Sequence, residues 1–372
     1  MTLREKPSPK RDAPKIVRKV ANYRTGTKIL QALGGLALAA CVSCPVAAIG
    51  PAQLGVLVNL ADPQSVAVAQ MYLARRGIPS ANRVELNFGS GAAVLSPDAF
   101  AALKRRIDDL TPAGVQAYAI TWTRPYRVGC MSITTAVAAG LDPAFCHPPD
   151  RRCAPTRRLT YFDSPSSAPR TTHGIRPAMM LAGQNLAEVE RLVQRGLQSD
   201  GRMPGGVAYL VSTSDGARNV RASQYRQVFA RVAGRVRVRR IEQDWIRDKA
   251  DVLFYFTGAK QVPYLETLRF VPGAVADHLT SAGGQLDGTR QMPVLAWLEA
   301  GATGSYGTVT EPCNYPDKFP RPAVLMDHYL NGETLIEAYW KSVASPGQGL
   351  FVGEPLARPF APPSRSNGVD GM

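Results

Sequence analysis

Residues 55–60 read Gly-Val-Leu-Val-Asn-Leu, an apolar run of the length expected for one buried β-strand. Asp62 and Pro63 follow at once, and these are the residue types favoured at the cap and in the first turn of a helix. Gly77 stands where that helix can end. A buried strand followed directly by a capped helix is typical of a βαβ unit, so this stretch predicts the α/β fold class.

The same alternation continues downstream of this first unit. Residues 82–88 alternate like a strand, residues 96–110 have the cap and apolar spacing of a helix, and residues 115–122 are a third apolar run. Strands separated by helices at this spacing predict a mostly parallel sheet flanked by helices. We therefore expect an N-terminal α/β subdomain over residues 52–122.

A change of composition divides the rest of the chain. Residues 123–178 are rich in Pro, Arg, Ser and Thr, and we interpret them as a long ordered, cysteine-containing insertion. A second α/β subdomain is expected over residues 179–360, and residues 361–372 form a Pro/Ser/Gly-rich tail expected to fray. Within the second subdomain we expect helices at 186–197, 220–233, 293–300 and 333–343, and strands at 206–213, 235–239, 251–256, 274–278, 302–309 and 349–353.

The first 48 residues have the composition of a targeting segment. Residues 1–28 carry a net charge of +7 out of the +15 of the whole chain, and the apolar residues 29–40 match a signal-peptide core in length. Three outcomes stay open: cleavage after the small residues 46–48, lipidation of Cys41 in a lipobox, or an uncleaved membrane anchor. The sequence thus predicts an exported protein, periplasmic or tethered to the membrane as a lipoprotein.

The charge of the remaining chain, +8, is spread along its length. It contains no nucleic-acid-binding motif, so a nucleic-acid partner is not expected. Glycine-rich dinucleotide loops, Walker loops and metal-ligand spacings are also missing, so no cofactor and no metal are expected. One concentrated basic run, Arg-Val-Arg-Val-Arg at residues 235–239, predicts a strand near a sheet edge. We interpret its basic face as solvated, with ligand binding as the alternative.

Four cysteines follow the targeting segment. An even number of cysteines in an exported protein indicates disulfides, and Cys146 with Cys153 is the first expectation because they flank a short loop. Cys130 and Cys313 would then form the other pair. A Cys/His metal site using His147 is the rival, although its spacing matches no familiar zinc pattern.

Several stretches are more particular than a generic α/β sequence. They are Pro125-Tyr126-Arg127-Val128, Arg176-Pro177-Ala178-Met179-Met180, Thr213-Ser214-Asp215, Asp277-His278-Leu279-Thr280-Ser281, Glu299-Ala300-Gly301-Ala302-Thr303-Gly304-Ser305-Tyr306-Gly307, Glu337-Ala338-Tyr339-Trp340 and Gly353-Glu354-Pro355-Leu356. Together they resemble an uncharacterised family of exported bacterial proteins found in genomes that carry exosortase, an enzyme that sorts envelope proteins. The resemblance spans about residues 53–360. It implies a binding or accessory role in envelope biogenesis, with an envelope protein or polysaccharide as partner.

The C-terminal half more distantly resembles the gingipain-like, caspase-fold cysteine peptidases. In those enzymes a His-Gly pair ends one central strand and a Cys follows the next. In this chain Thr257-Gly258 and Ser281 stand near those positions, and no cysteine is close to either in sequence. The resemblance therefore implies a caspase-like fold that lacks the peptidase dyad.

The rival function is a serine-type hydrolase acting on peptide or glycan. Ser281 would be the nucleophile, His278 its base, and Glu299 or Asp277 an acidic partner. The structural alternative is an ordinary Ser-Ala-Gly-Gly turn, because glycine permits conformations that other residues avoid.

Binding candidates are expected where the strands end. Thr257 and Tyr306 would line a pocket outside the carboxyl ends of the strands, where open α/β sheets bind ligands. Arg127 and Arg218 could hold a carboxylate or phosphate, although structural ion pairs are the alternative for both. A third function class is a structural lipoprotein tethered through Cys41, which would be indicated if no pocket existed there.

Overall fold

The computed structural model describes residues 48–151, 153–288 and 290–362. The predicted targeting segment, with Cys41, and most of the predicted tail therefore lie outside the described residues. The strands are β1 (Leu54–Asn59), β2 (Arg83–Leu86), β3 (Val94–Leu95), β4 (Ala117–Ile120), β5 (Arg127–Val128), β6 (Met131–Ser132), β7 (Ala178–Met180), β8 (Val207–Ser212), β9 (Arg237–Glu242), β10 (Val252–Thr257), β11 (Phe270–His278), β12 (Gly304–Thr308) and β13 (Gly349–Gly353). The α-helices are α1 (Pro63–Arg76), α2 (Pro97–Leu110), α3 (Ile133–Ala139), α4 (Pro169–His173), α5 (Leu186–Ser199), α6 (Tyr225–Arg231), α7 (Leu295–Ala300), α8 (Pro322–Leu330) and α9 (Leu335–Ser342).

The α/β prediction is confirmed by a ten-stranded sheet with the order β2-β1-β4-β7-β13-β12-β11-β10-β8-β9. Strands β2, β1, β4 and β7 pair in parallel, as do β12, β11, β10, β8 and β9, and β13 is antiparallel to β12. Strands of both predicted subdomains thus belong to one sheet. A separate small sheet, β3-β5-β6, lies mostly within the insertion.

The direction of strand addition reverses twice in this sheet. The chain places β2 on one side of β1 and then β4 on the other side, and it does the same with β9 and β10 around β8. Reversals of this kind leave a crevice outside the carboxyl ends of the strands. The fold therefore offers two positions for a ligand, one at β1 and one at β8.

The opening stretch of sequence folds as its residue types predict. All six residues of β1 are buried, and the Asp62 carboxylate accepts a hydrogen bond from the Gln64 backbone amide at 3.0 Å. Gly77 ends α1 with a φ of 62°, a left-handed conformation that suits glycine. Local cap chemistry and apolar spacing are enough to specify this unit.

The predicted helix at 220–233 is only partly formed. A 3₁₀ helix spans Asn219–Gln224, and α6 begins at Tyr225. Within the 3₁₀ segment the Arg221 guanidinium turns into the interior and pairs with the Asp277 carboxylate. The helical spacing of the sequence carries no information on this long-range contact. The predicted helix therefore combines two elements, the 3₁₀ helix and α6.

The predicted Cys146–Cys153 bridge is wrong. Cys130 bonds Cys146, and Cys153 bonds Cys313, each pair with 5.8 Å between Cα atoms. The 3₁₀ turn at residues 143–145 precedes Cys146 and brings it to Cys130 rather than across the loop. Two disulfides indicate an oxidising, extracellular-type environment.

The insertion is packed against the rest of the chain. Phe145 and Tyr161 are fully buried, and the Leu159 backbone amide donates to the Ala344 carbonyl at 2.9 Å. The Cys153–Cys313 bridge adds a covalent link from the insertion to the segment that follows β12. In the part of the chain that the structure describes, no helix is long and apolar enough to cross a membrane.

Candidate functional site

The segments that follow β1, β2, β4 and β7 meet the loop that follows β11 around a cavity of about 330 Å³, here called the edge cleft. Because all five segments leave the carboxyl ends of their strands, the edge cleft lies at the reversal beside β1. Its lining residues are Asp62, Gln64, Ser90, Thr123, Arg124, Gly183, Gln184, Leu286, Asp287 and Leu295.

Hydrogen bonds to one carbonyl hold one wall of the edge cleft. The Thr123 hydroxyl donates to the Gly183 carbonyl at 3.0 Å, and the Gln64 side-chain amide donates to the same oxygen at 3.2 Å. Asp62 is used as the cap of α1, since its carboxylate accepts from the Gln64 backbone amide. These contacts tie the segments that follow β1, β4 and β7 to one another.

An ion pair forms the opposite wall. Arg124 pairs with Asp287, and the Tyr126 hydroxyl donates to the other Asp287 oxygen at 3.2 Å. Burial, and then the negative charge of Asp287, raises the pKa of Tyr126 above its ordinary value, so this phenol stays a donor. The pair links the segment after β4 to the loop after β11 and leaves little net charge on this wall.

His278 is a buried structural histidine and not a base for Ser281. Its Nδ1 accepts from the Trp297 indole at 2.9 Å, and its Nε2 faces the Met292 carbonyl at 3.1 Å, which makes Nε2 the protonated nitrogen. Burial lowers the pKa of His278 to about 3, so the ring is neutral at pH 7. Both ring nitrogens are occupied by groups other than the Ser281 hydroxyl.

Ser281 lines a smaller cavity of about 130 Å³, together with Arg218 and Glu311. The Arg218 guanidinium donates to the Thr280 hydroxyl at 3.1 Å and to Asp215 at 2.8 Å. Arg218 therefore forms the structural ion pair that was the alternative to anion binding, and Ser281 is brought beside that pair rather than beside an imidazole.

The position at which the peptidases carry His-Gly is closed in this chain. Thr257 is fully buried, and a Cβ on Gly258 would lie 2.0 Å from the Arg218 carbonyl oxygen. The Thr213 hydroxyl donates to the Gly258 carbonyl at 2.6 Å. The chain's own backbone thus occupies the space beside Gly258, and the cavity lined by Arg218 and Ser281 remains at this reversal.

The other predicted site residues are dispersed. The Tyr306 hydroxyl is buried and donates to the Lys318 carbonyl at 2.6 Å, so Tyr306 lies in the core. Glu299 is exposed on α7 and accepts from the Gln184 side-chain amide at 3.1 Å. Arg127 lies half-buried in β5 of the small sheet. The structure does not assemble these residues into one site.

A buried ion pair joins the ends of the two strands that carry the predicted dyad positions. Arg221 and Asp277 are each 1% exposed and form a salt bridge, and Arg221 also donates to the Thr257 carbonyl at 2.8 Å. Burial raises the pKa of Asp277, and the Arg221 charge opposes that rise. This pair connects β10 and β11 and leaves Asp277 unavailable as a partner for Ser281.

Sequence patterns missed the residues that do converge, namely Gln64, Thr123, Gln184 and Asp287. Each follows a strand end or lies in the long loop after β11, and position is the only signal they carry. Among the described residues, no group of three or more His, Cys, Asp and Glu side chains could hold a metal ion. No protein-family model matches this chain, and no curated protein matches it either.

Proposed function

We propose that this protein is an exported, non-peptidase binding component of the bacterial envelope that holds a neutral saccharide segment in the edge cleft. The resemblance to the exosortase-associated family supplies the envelope context. The observation that carries the proposal is the state of the cleft's carboxylates: Asp62 caps a helix and Asp287 is held by Arg124. Both carboxylates are thus engaged, whereas the Ser90 hydroxyl and the side-chain oxygens of Thr123, Gln64 and Gln184 lie along the lining and can accept hydrogen bonds.

The lining favours a neutral ligand with many hydroxyl groups. Ser90, Thr123, Gln64 and Gln184 offer donors and acceptors, and the single arginine is neutralised by its acidic partner Asp287. Buried polar groups bind tightly only when each finds a hydrogen-bonding partner, and a sugar ring supplies such partners on all sides. A cavity of about 330 Å³ falls at the lower end of the range for ligand pockets, about 300–1,000 Å³.

The test is calorimetric titration with neutral oligosaccharides, using chains of glucose and of N-acetylglucosamine as probes. Thr123→Val keeps the side-chain shape but removes the hydroxyl, and we expect about tenfold weaker binding. Gln184→Ala should also weaken binding, whereas Gln243→Ala, an exposed glutamine outside the cleft, should not. Equal affinities for all three variants and the wild type would refute the cleft as the site.

A fluorophosphonate probe tests the hydrolase alternative in parallel. Labelling that disappears in Ser281→Ala, or hydrolysis of the oligosaccharides, would replace the binding proposal with an enzyme. We expect neither, because Ser281 has Arg218 and not His278 beside it. A structural lipoprotein would be indicated by the lack of a pocket at the strand ends. The edge cleft is a pocket at that place, and it therefore favours the binding proposal over this alternative.

A further inference from the structure

The edge strand β9 carries arginines that no acidic side chain neutralises. Arg237 and Arg239 are exposed, and neither takes part in a salt bridge among the described residues. Residues two apart on a strand point to the same face about 7 Å apart, so the two guanidinium groups form a short row. The nearby Arg240 lies on the other face and pairs with Glu242.

The pairing of β9 with β8 shows which face of the sheet carries the two arginines. Arg237 is level with Val207, and Arg239 is level with Tyr209 of the neighbouring β8. Burial raises the pKa of Tyr209 to about 12, and the positive charges of Arg239 and Arg237 oppose that rise. Both arginines are therefore within electrostatic reach of the same tyrosine.

Two exposed aromatic rings lie in the segments that follow β9 and β10. Trp245 and Tyr264 are 42% and 39% exposed, with ring centroids 5.9 Å apart. Ile246, the next residue after Trp245, is buried in one apolar cluster with Tyr209 and Tyr255. Because Arg239 is level with Tyr209, the segment that carries Trp245 is anchored on the face of the sheet that carries the two arginines.

Two acidic groups near this surface are engaged by hydrogen bonds. Asp244 accepts from both the backbone amide and the hydroxyl of Ser214, at 2.6 and 3.0 Å, and Asp251 accepts from the Tyr209 hydroxyl at 2.7 Å. Hydrogen bonds from Ser214 lower the pKa of Asp244, so this carboxylate stays ionised and bonded to the loop. Asp248 and Glu266 are also exposed, so the positive charge that the surface offers to a partner is concentrated at Arg237 and Arg239.

We propose that Arg237, Arg239, Trp245 and Tyr264 form a docking surface for an acidic polysaccharide, in which guanidinium groups pair with uronic carboxylates and aromatic rings stack on sugar faces. A guanidinium binds a carboxylate through two parallel hydrogen bonds, which suits a row of such groups. Exposed aromatic side chains grouped together mark an interaction site more often than a solvated surface. The surface is separate from the edge cleft, and the inference stands whether or not the cleft binds a ligand.

Other anionic partners fit this surface less well. A membrane surface is bound by apolar side chains that reach into the lipid, whereas these two rings are more than half buried. A protein interface needs a desolvated apolar core, and the rings stand among charged residues. The two disulfides indicate an oxidising, extracellular-type environment, and nucleic acid is not the usual polyanion there. A polysaccharide therefore fits the surface better than nucleic acid does.

The test is titration of the full chain with polygalacturonate at low and high salt, with polyethylene glycol as a neutral control polymer that is not a saccharide. Arg237→Gln/Arg239→Gln should weaken binding about three- to tenfold and reduce its salt dependence. Trp245→Ser should weaken binding about threefold or more with the salt dependence unchanged.

The matched control is Arg105→Gln/Arg106→Gln, which removes two exposed arginines from α2 and leaves the basic leader unchanged. Its affinity should equal that of the wild type, and unfolding curves should show that all variants are folded. Equal loss in both arginine pairs would overturn the proposal, since the charge effect would then be non-specific. Tighter binding to phosphatidylglycerol vesicles or to duplex DNA than to polygalacturonate, lost in the same variants, would overturn it in favour of that partner.

Discussion

His278 makes the stability of this protein dependent on pH in a way that can be calculated. Its pKa is about 3 in the folded chain and 6.5 in an unfolded one, because burial between Trp297 and Met292 excludes the charged ring. Between these two values the unfolded state binds more protons than the folded state. The contribution of His278 to the free energy of unfolding is therefore fully present above pH 6.5 and is lost as the pH falls towards 3.

The size of the effect follows from the two pKa values. Moving from pH 7 to pH 5 should cost about 2 kcal/mol through His278 alone. His278→Asn removes the titrating group while its amide oxygen can still accept from the Trp297 indole. The variant is expected to be less stable at every pH, because the larger ring leaves a cavity, but its pH dependence should be flatter by about 2 kcal/mol over this range.

Urea unfolding of both proteins at a series of pH values measures this difference directly. Other titrating groups are common to the two proteins, so their contributions cancel in the comparison. NMR of the imidazole nitrogens supplies an independent readout, since His278 should remain neutral at pH 5. Parallel pH profiles for the two proteins, or a protonated His278 ring at pH 5, would refute the claim that this histidine is buried and neutral.

Three further changes test other parts of the structure. Cys313→Ser should reduce the free energy of unfolding by about 2 kcal/mol more than Cys130→Ser, because the Cys153–Cys313 bridge closes a loop of 160 residues and the Cys130–Cys146 bridge a loop of 16. Denaturant unfolding measures the difference. A smaller loss for Cys313→Ser than for Cys130→Ser would contradict this reasoning. Gly258→Ala should lower the free energy of unfolding by about 1–3 kcal/mol or prevent folding, since the added Cβ meets the Arg218 carbonyl. Gly216→Ala is the control, because Gly216 has open space around it and its substitution should change the free energy of unfolding little. Arg221→Met should lower the free energy of unfolding by about 3–5 kcal/mol, because it leaves the buried Asp277 carboxylate unpaired. The double variant Arg221→Met/Asp277→Leu should recover most of that loss. Additive losses in the double variant would contradict the pairing.

Local signals in the sequence predict most of the elements but few of their partnerships. The apolar run 55–60 and the Asp62 cap specify β1 and α1 because each acts within a few residues. The basic alternation at 235–239 places a strand at the sheet edge, and β9 is indeed the last strand. Such patterns depend on the period of the local chain and need no knowledge of distant contacts.

Helix α8 is an element that the sequence analysis did not predict, and other missed features are contacts between residues distant in the chain. Arg221 pairs with Asp277 across 56 residues, and Cys153 reaches Cys313 across 160. The edge cleft depends on segments after five strands, and Asp287 meets Arg124 only because the sheet brings those segments together. Spacing along the chain carries no information on which of several allowed partners a buried charge or cysteine will find.

The two reversals in the sheet explain why the candidate site lies where it does. At β8 the crevice is narrow, since the Arg218 backbone lies against Gly258 and the Arg221 guanidinium bonds the Thr257 carbonyl, and a cavity of about 130 Å³ remains. At β1 the corresponding loops stand apart and leave the edge cleft of about 330 Å³. Thr257 is fully buried, so a substrate could not reach a side chain at that position. The same sheet geometry thus supports a ligand at one reversal and packing at the other, and a search for function belongs at the open one.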